Sequence, residues 1–371
     1  MTTTEANGLR AALATLPKID LHRHLEGSLR LETLAEIARE HGLDLPSWEV
    51  DDLRPLVQIV NDQPDFHDFL AKFRLLRHFF STQETVERLA YECVVDAAED
   101  NIKYLELRFN PVALSKMQSF DYEEVTEWVV SAVDRAQRDH DIQVRLIAQI
   151  GRDETVAVAR RITEVAAAFQ DQGLAGIDLA GDETDHPAPQ FAAVFQRARA
   201  NGLHITVHAG EAGPASNIQE AIELLGAERI GHGVRAMEAP MIIDLLIRRK
   251  VTLEMCPTSN LQTGAVSDLS QHPLKDYLQA NVRVTVNTDD PSISDTTLTN
   301  EYLVAVQGIG MPLPALRQSI IVAAESAFLP DGDRRELREW FDQALPMSLS
   351  PECVSRSHEA PPLTRHITTP R

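Results

Sequence analysis

The stretch Ile19-Asp20-Leu21-His22-Arg23-His24 decides the fold, because a short apolar run ends there in two histidines one residue apart. On a strand, alternate residues share a face, so His22 and His24 can turn both imidazoles toward one metal ion. Outward from it, seven more short apolar or β-branched runs alternate with helical patterns: 104–108, 143–149, 176–179, 204–207, 229–231, 251–255 and 283–286. Eight strands, each followed by a helix, are what a closed barrel of parallel strands requires. The expectation is α/β, a single (β/α)8 TIM-type barrel, rather than a doubly wound sheet. A doubly wound sheet gathers its ligand at one crevice, whereas here polar residues end many strands.

Helical candidates lie between the strands. Leu31, Leu34, Ala35 and Ala38 share one face of a helix over 31–40 that Gly42 stops, and further helices are expected over 220–225 and 241–250. The gap from His24 to Tyr104 is too long for one crossover, so extra helices, an insertion over about 49–100, are expected to cover the C-terminal mouth of the barrel between strands 1 and 2. Within it Phe66, Phe69, Leu70 and Phe73 follow a helical repeat, which serves core packing or an apolar lid over a substrate. Residues 1–345 read as one barrel domain. The proline-rich segment 346–371 lacks apolar periodicity and reads as a flexible tail.

With 371 residues, of which 43% are hydrophobic, the chain can bury a sizeable core. The net charge of -21 argues against nucleic acid and anionic membrane surfaces as partners. No run of membrane-spanning length is free of charge and no signal-peptide pattern opens the chain, so a soluble, cytoplasmic protein is expected. Cys93, Cys256 and Cys353 form no Cys-x-x-Cys, which fits a reducing compartment and leaves metal binding to histidines and carboxylates. Nothing in the sequence assigns an oligomeric state.

Chemistry-bearing residues gather at the predicted strand ends. His208 ends the fifth strand with Glu211 three residues on; His232 lies between Gly231 and Gly233 after the sixth; Asp289 and Asp290 follow the eighth. Taken singly, His232 could be a hydrogen-bonded core residue, Glu211 a solvated acid, and the aspartates helix caps. In a barrel all these ends surround one pocket, which makes coincidence the poorer account. His22, His24, His208 and Asp289 form the expected metal set, suited to one divalent ion and best to Zn²⁺. The fourth-strand segment 176–183 holds no lysine that could bridge two ions. His232 is then free to act as a base or an electrostatic partner.

These residues resemble the adenosine deaminase family of the metal-dependent amidohydrolase superfamily. The resemblance rests on Pro17 to Gly27, Phe69 to Phe73, Gly176 to Glu183, His208 to Glu211, Gly231-His232-Gly233, Cys256-Pro257-Thr258-Ser259-Asn260 and Asn287 to Pro291. It implies hydrolytic deamination of adenosine and 2′-deoxyadenosine to the 6-oxopurine and ammonia, by a metal-activated hydroxide attacking C6. Glu211 would protonate N1, His232 would assist or steady the hydroxide, and Asp289 would hold it while ligating the metal. Glu26, Gly181, Asp290, His24, Phe69 and Phe73 would form the substrate site, with Asp290 on N7, the backbone N–H of Gly181 on N3 and Glu26 toward the sugar. Adenosine-specific members usually carry Asp where Glu26 stands, so adenine or a 5′-modified adenosine is the alternative substrate. A non-enzymatic purine-binding relative would be expected to have lost ligands, and none of the four is lost.

Overall fold

The computed structural model describes residues 3–45, 47–60 and 62–347, so the tail expected over 346–371 lies, from 348 onward, outside the described residues. Eight strands form one sheet in sequential order: β1 (Lys18–His24), β2 (Ile102–Phe109), β3 (Gln143–Gly151), β4 (Leu174–Ala180), β5 (His204–Ala209), β6 (Arg229–His232), β7 (Thr252–Met255) and β8 (Arg283–Val286). Every neighbouring pair from β1 to β8 is parallel. The ring shuts between β8 and β1 through a single parallel bridge, Arg23 with Asp289. There the His24 N–H donates to the Asp289 carbonyl and the Asp289 N–H donates to that of His22, each at 2.8 Å. This is the (β/α)8 barrel expected from the strand count.

Period-2 alternation sorts the strand residues. On β2, Leu105, Leu107 and Phe109 join the apolar layer under the helices, while Tyr104, Glu106 and Arg108 point to the barrel axis, where they meet groups from non-adjacent strands. Both sets are fully buried.

Four helices separate β1 from β2: α1 (Leu31–His41), α2 (Val50–Val57), α3 (Phe66–Leu76) and α4 (Gln83–Glu99). Leu34, Ile37 and Ala38 of α1 are buried, and Gly42 ends the helix in the left-handed conformation that glycine adopts without steric cost. α3 starts at Asp65, whose carboxylate accepts the Asp68 N–H, and α4 starts in a Thr82–Thr85 capping box. The helix expected over 220–225 begins earlier, at Ser216, and widens into a π-turn over Ala221–Leu225 that Gly226 closes. No helix among the described residues is long and apolar enough to cross a membrane.

Candidate metal centre and purine pocket

At the C-terminal ends of the strands, His22 and His24 project inward from alternate positions of β1, and His208 projects from β5. Nε2 of His24 lies 3.3 Å from Nε2 of both His22 and His208. Asp289 Oδ1 lies 3.1 Å from Nε2 of His22 and 3.2 Å from that of His24. The other edges of two rings are occupied: Nδ1 of His22 faces Glu254 at 2.7 Å, and Nδ1 of His208 faces Asp178 at 3.0 Å. A carboxylate there can only accept, so Nδ1 carries a proton, and in the neutral ring Nε2 is left as a lone pair. The Nε2 atoms of His22 and His208 and a carboxylate oxygen thus converge on Nε2 of His24, and Asp289 Oδ1 is a buried atom with no hydrogen-bond partner. Such a convergence of nitrogen and oxygen donors fits a divalent cation.

Local chain geometry builds this centre. Asp289 and His232 both adopt left-handed backbone conformations, with φ of 61° and 64°, which are uncommon for non-glycine residues. Gly231 is needed beside His232 because a Cβ there would lie 2.8 Å from Cε1 of His22. Gly27 is needed because a Cβ would collide with the Asp290 carboxyl. Asp290 opens the helix Pro291–Ser294 without a side-chain capping bond, so capping does not explain it. The strand ladder of β8 stops at Val286; the two aspartates diverge through the left-handed turn at Asp289, not through strand alternation.

A cavity of about 270 Å³ opens over the cluster. His24, His208, His232, Asp289, Glu26, Gly181, Glu211 and Asp290 line it, and Phe66, Phe69, Leu70 and Phe73 of α3 form an apolar side. All the residues expected in the site therefore border this cavity except His22, which is wholly buried behind it. Ligand atoms of His22, His208, His232 and Asp289 also lie within 4.8 Å of one another, so proximity alone places His232 beside the expected set.

Three carboxyls crowd the pocket. Burial first, then the Asp289 charge, pushes Glu211 up to about 8, against the opposing hydrogen bond from Thr263. Burial, followed by the charges of Asp289, Glu26 and Glu211, raises Asp290 well above the usual carboxylate range. Glu26 rises to about 7 through burial, although its Oε1 accepts the Asn110 N–H at 2.7 Å. Acids that stay protonated near neutrality can donate to ring nitrogens.

Sequence reasoning passed over the supports of these groups. Helix α5 (Pro257–Gln262) and the residue after it serve three of them: Ser259 donates to Asp289 Oδ2 at 2.7 Å, Asn260 meets His232 at 3.0 Å, and Thr263 donates to Glu211 Oε1 at 3.0 Å. Glu183 accepts the backbone N–H groups of Gly210, Glu211 and Gly213, fixing the turn that carries Glu211. Beneath the histidines, Arg108 lies 3.0 Å from both Asp178 and Glu254. Arg229 pairs with Glu254 at 2.5 Å and with Glu106. The inward period-2 positions of β2 and β4 were the available signal.

An eight-stranded barrel with histidines and an aspartate converging at its C-terminal rim defines an enzyme of the amidohydrolase superfamily. Comparison narrows this: the adenosine deaminase family model matches residues 17–344. An adenosine deaminase of Escherichia coli O1:K1 / APEC is 39% identical over 325 residues, covering 88% of this chain and 97% of that protein. Among solved structures, the adenine deaminase of Arthrobacter aurescens superposes with a TM-score of 0.81 at 28% identity, covering 88% of this chain and 98% of that one. The N6-methyl-AMP deaminase of Arabidopsis thaliana superposes with a TM-score of 0.80 at 30% identity, covering 90% and 98%. The chain belongs to the adenosine deaminase family and is a hydrolase acting on a purine C–N bond.

Proposed function

We propose that this protein deaminates adenosine and 2′-deoxyadenosine to the corresponding 6-oxopurine nucleosides and ammonia. The observation that carries the reading is the presence, in one cavity, of a cation-seeking donor cluster and a buried carboxylic acid, Glu211. His22, His24, His208 and Asp289 would hold one divalent ion, and nitrogen with oxygen donors suits Zn²⁺. When bound, such an ion supplies a nucleophile at neutral pH by lowering the pKa of a water from near 16 to about 7. Glu211 donates its proton to N1, which makes C6 electron-poor enough to be attacked. Asp290, held as an acid, donates to N7, and the backbone N–H of Gly181 meets N3. His232 steadies the reacting oxygen, and Asp289, anchored by Ser259, keeps it in line.

The aromatic face of α3 excludes water, and helices between β1 and β2 act as a lid on a single barrel domain. Free, buried Cys93 and Cys256 suit the reducing cytoplasm.

Glu26 favours a second reading. Its side chain is one methylene longer than Asp and one oxygen is engaged by Asn110, so the sugar end of the pocket is altered. Adenine or a 5′-modified adenosine would fit a changed sugar end, and the similar structures include an adenine deaminase and a nucleotide deaminase. The higher identity to an adenosine deaminase supports the nucleoside. Ammonia release from adenosine, 2′-deoxyadenosine, adenine and 5′-modified adenosines by the metal-loaded protein tests the choice. Fastest turnover is expected with adenosine; turnover of adenine alone would overturn it, and no ammonia from any of them would end the deaminase reading.

A further inference from the structure

A buried file of hydrogen bonds runs outward from His232, and its direction is decided at the far end. The Leu274 backbone N–H, which can only donate, lies 3.2 Å from Nδ1 of His272. Nδ1 is therefore the accepting nitrogen of that ring. Burial pushes His272 down to about 4, so the imidazole is neutral and its one proton sits on Nε2. This Nε2–H meets Oδ1 of Asn260 at 3.2 Å. With its oxygen engaged, the Asn260 amide presents its NH₂ to Nδ1 of His232 at 3.0 Å. An NH₂ donates only, so Nδ1 of His232 must accept. The proton of neutral His232 is left on Nε2, facing the pocket 3.5 Å from Glu211 Oε2 and 3.9 Å from Asp289 Oδ2.

We propose that Asn260 and His272 are positioning residues that lock His232 in its Nε2–H tautomer, making it a hydrogen-bond donor to the reacting oxygen and not a metal ligand or proton acceptor. The contrast with its neighbours is one of partners. His22 and His208 turn Nδ1 to carboxylates and bare Nε2; His232 turns Nδ1 to an amide NH₂ and keeps Nε2 protonated. A protonated nitrogen has no lone pair for a cation, so the lock separates His232 from the expected donors close by. It also chooses between the two roles open to His232: it steadies charge and takes up no proton at Nε2. The catalytic consequence rests on the deaminase reading, whereas the tautomer belongs to the folded chain.

The test is long-range ¹H–¹⁵N correlation on the full-length, zinc-loaded protein labelled with ¹⁵N-histidine. His232 and His272 are assigned by the signals lost in His232→Gln and His272→Gln. Wild type should show the Nε2–H pattern at His232. Asn260→Asp replaces the donor with an acceptor and should move the proton to Nδ1. The kcat for ammonia release from adenosine should then fall about 30-fold or more, with KM within about threefold. His272→Phe removes the donor that orients Asn260 and should populate the Nδ1–H form; His272→Gln, whose amide still donates, should restore the wild-type pattern at His232. An Nδ1–H tautomer in wild type, or an unmoved proton in both Asn260→Asp and His272→Phe, would overturn the lock. Failure of the deaminase reading is distinguishable, because ammonia release would be absent from every purine while the tautomer pattern stood.

Discussion

Two layers of the barrel interior carry charge. On the floor, Glu106, Asp178 and Glu254 each meet a guanidinium of Arg108 or Arg229, and the surplus negative charge is met by Nδ1–H groups of His22 and His208. At the mouth, three imidazole nitrogens converge beside a carboxylate oxygen without a partner. The floor is closed by its own residues and the mouth is completed only from outside. Reactivity and stability should therefore separate: changes at the mouth cost turnover, and changes at the floor cost folding.

Chelation of the metal is the largest perturbation of the mouth. Activity should vanish and return on adding Zn²⁺, and Tm should fall, because an ion that binds only the folded state stabilises it. Equal Tm with and without metal would erase the distinction between the layers. Glu211→Gln keeps shape and metal but removes the acid. Its kcat should drop about 10³-fold or more with one metal per chain retained, and an active variant would remove Glu211 from the reaction. Glu254→Gln is the floor counterpart. It leaves Arg108 and Arg229 undercompensated and loosens His22, so denaturant unfolding should show a loss of about 3–5 kcal/mol together with weaker metal binding. A Glu254→Gln protein as stable as wild type would sink the contrast.

The eight strands were legible because β-branched runs and helical repeats alternate along the whole chain, and the mouth was legible because its residues end those strands. His208, Glu211, His232 and Asp289 each stand next to a glycine or within a few residues of a strand terminus, where periodicity points. The floor was not, since Arg108 and Glu254 are 146 residues apart and come from non-adjacent strands, a pairing that only barrel closure creates. Tautomers were equally hidden: which nitrogen of His232 holds the proton depends on Asn260 and His272, whose roles no spacing announces. The left-handed turn at Asp289 went unread because no glycine marks it in the sequence.

Smaller effects sharpen the mouth. Glu26→Asp should move the adenosine-to-adenine preference toward adenosine by several-fold in kcat/KM, read by ammonia release, with no change in metal content. An unchanged ratio would take Glu26 out of specificity. A further effect is a pH dependence of stability in the metal-free protein. Glu211 is raised from 4.5 to about 8 and Glu26 to about 7, so the folded state holds these protons more tightly than the unfolded chain. Their contribution is complete below pH 4.5 and is lost as pH rises through about 7 to 8. Urea midpoints should fall over that window, and Glu211→Gln should flatten the fall; parallel curves would show that Glu211 does not titrate there.

The seam between β1 and β8 gives the metal a second meaning. Backbone bonds that shut the ring at the mouth belong to His22, His24 and Asp289, next to a clasp between Leu21 and Asn287, which stand 266 residues apart. Among strand pairings, joining the first strand to the last closes the longest loop, and a longer loop costs more entropy to close. An ion gripped by both sides of that seam would work as a removable cross-link between the two ends of the barrel. With such an ion in place, metal supply would govern how readily this ring completes its folding and comes undone, as well as turnover.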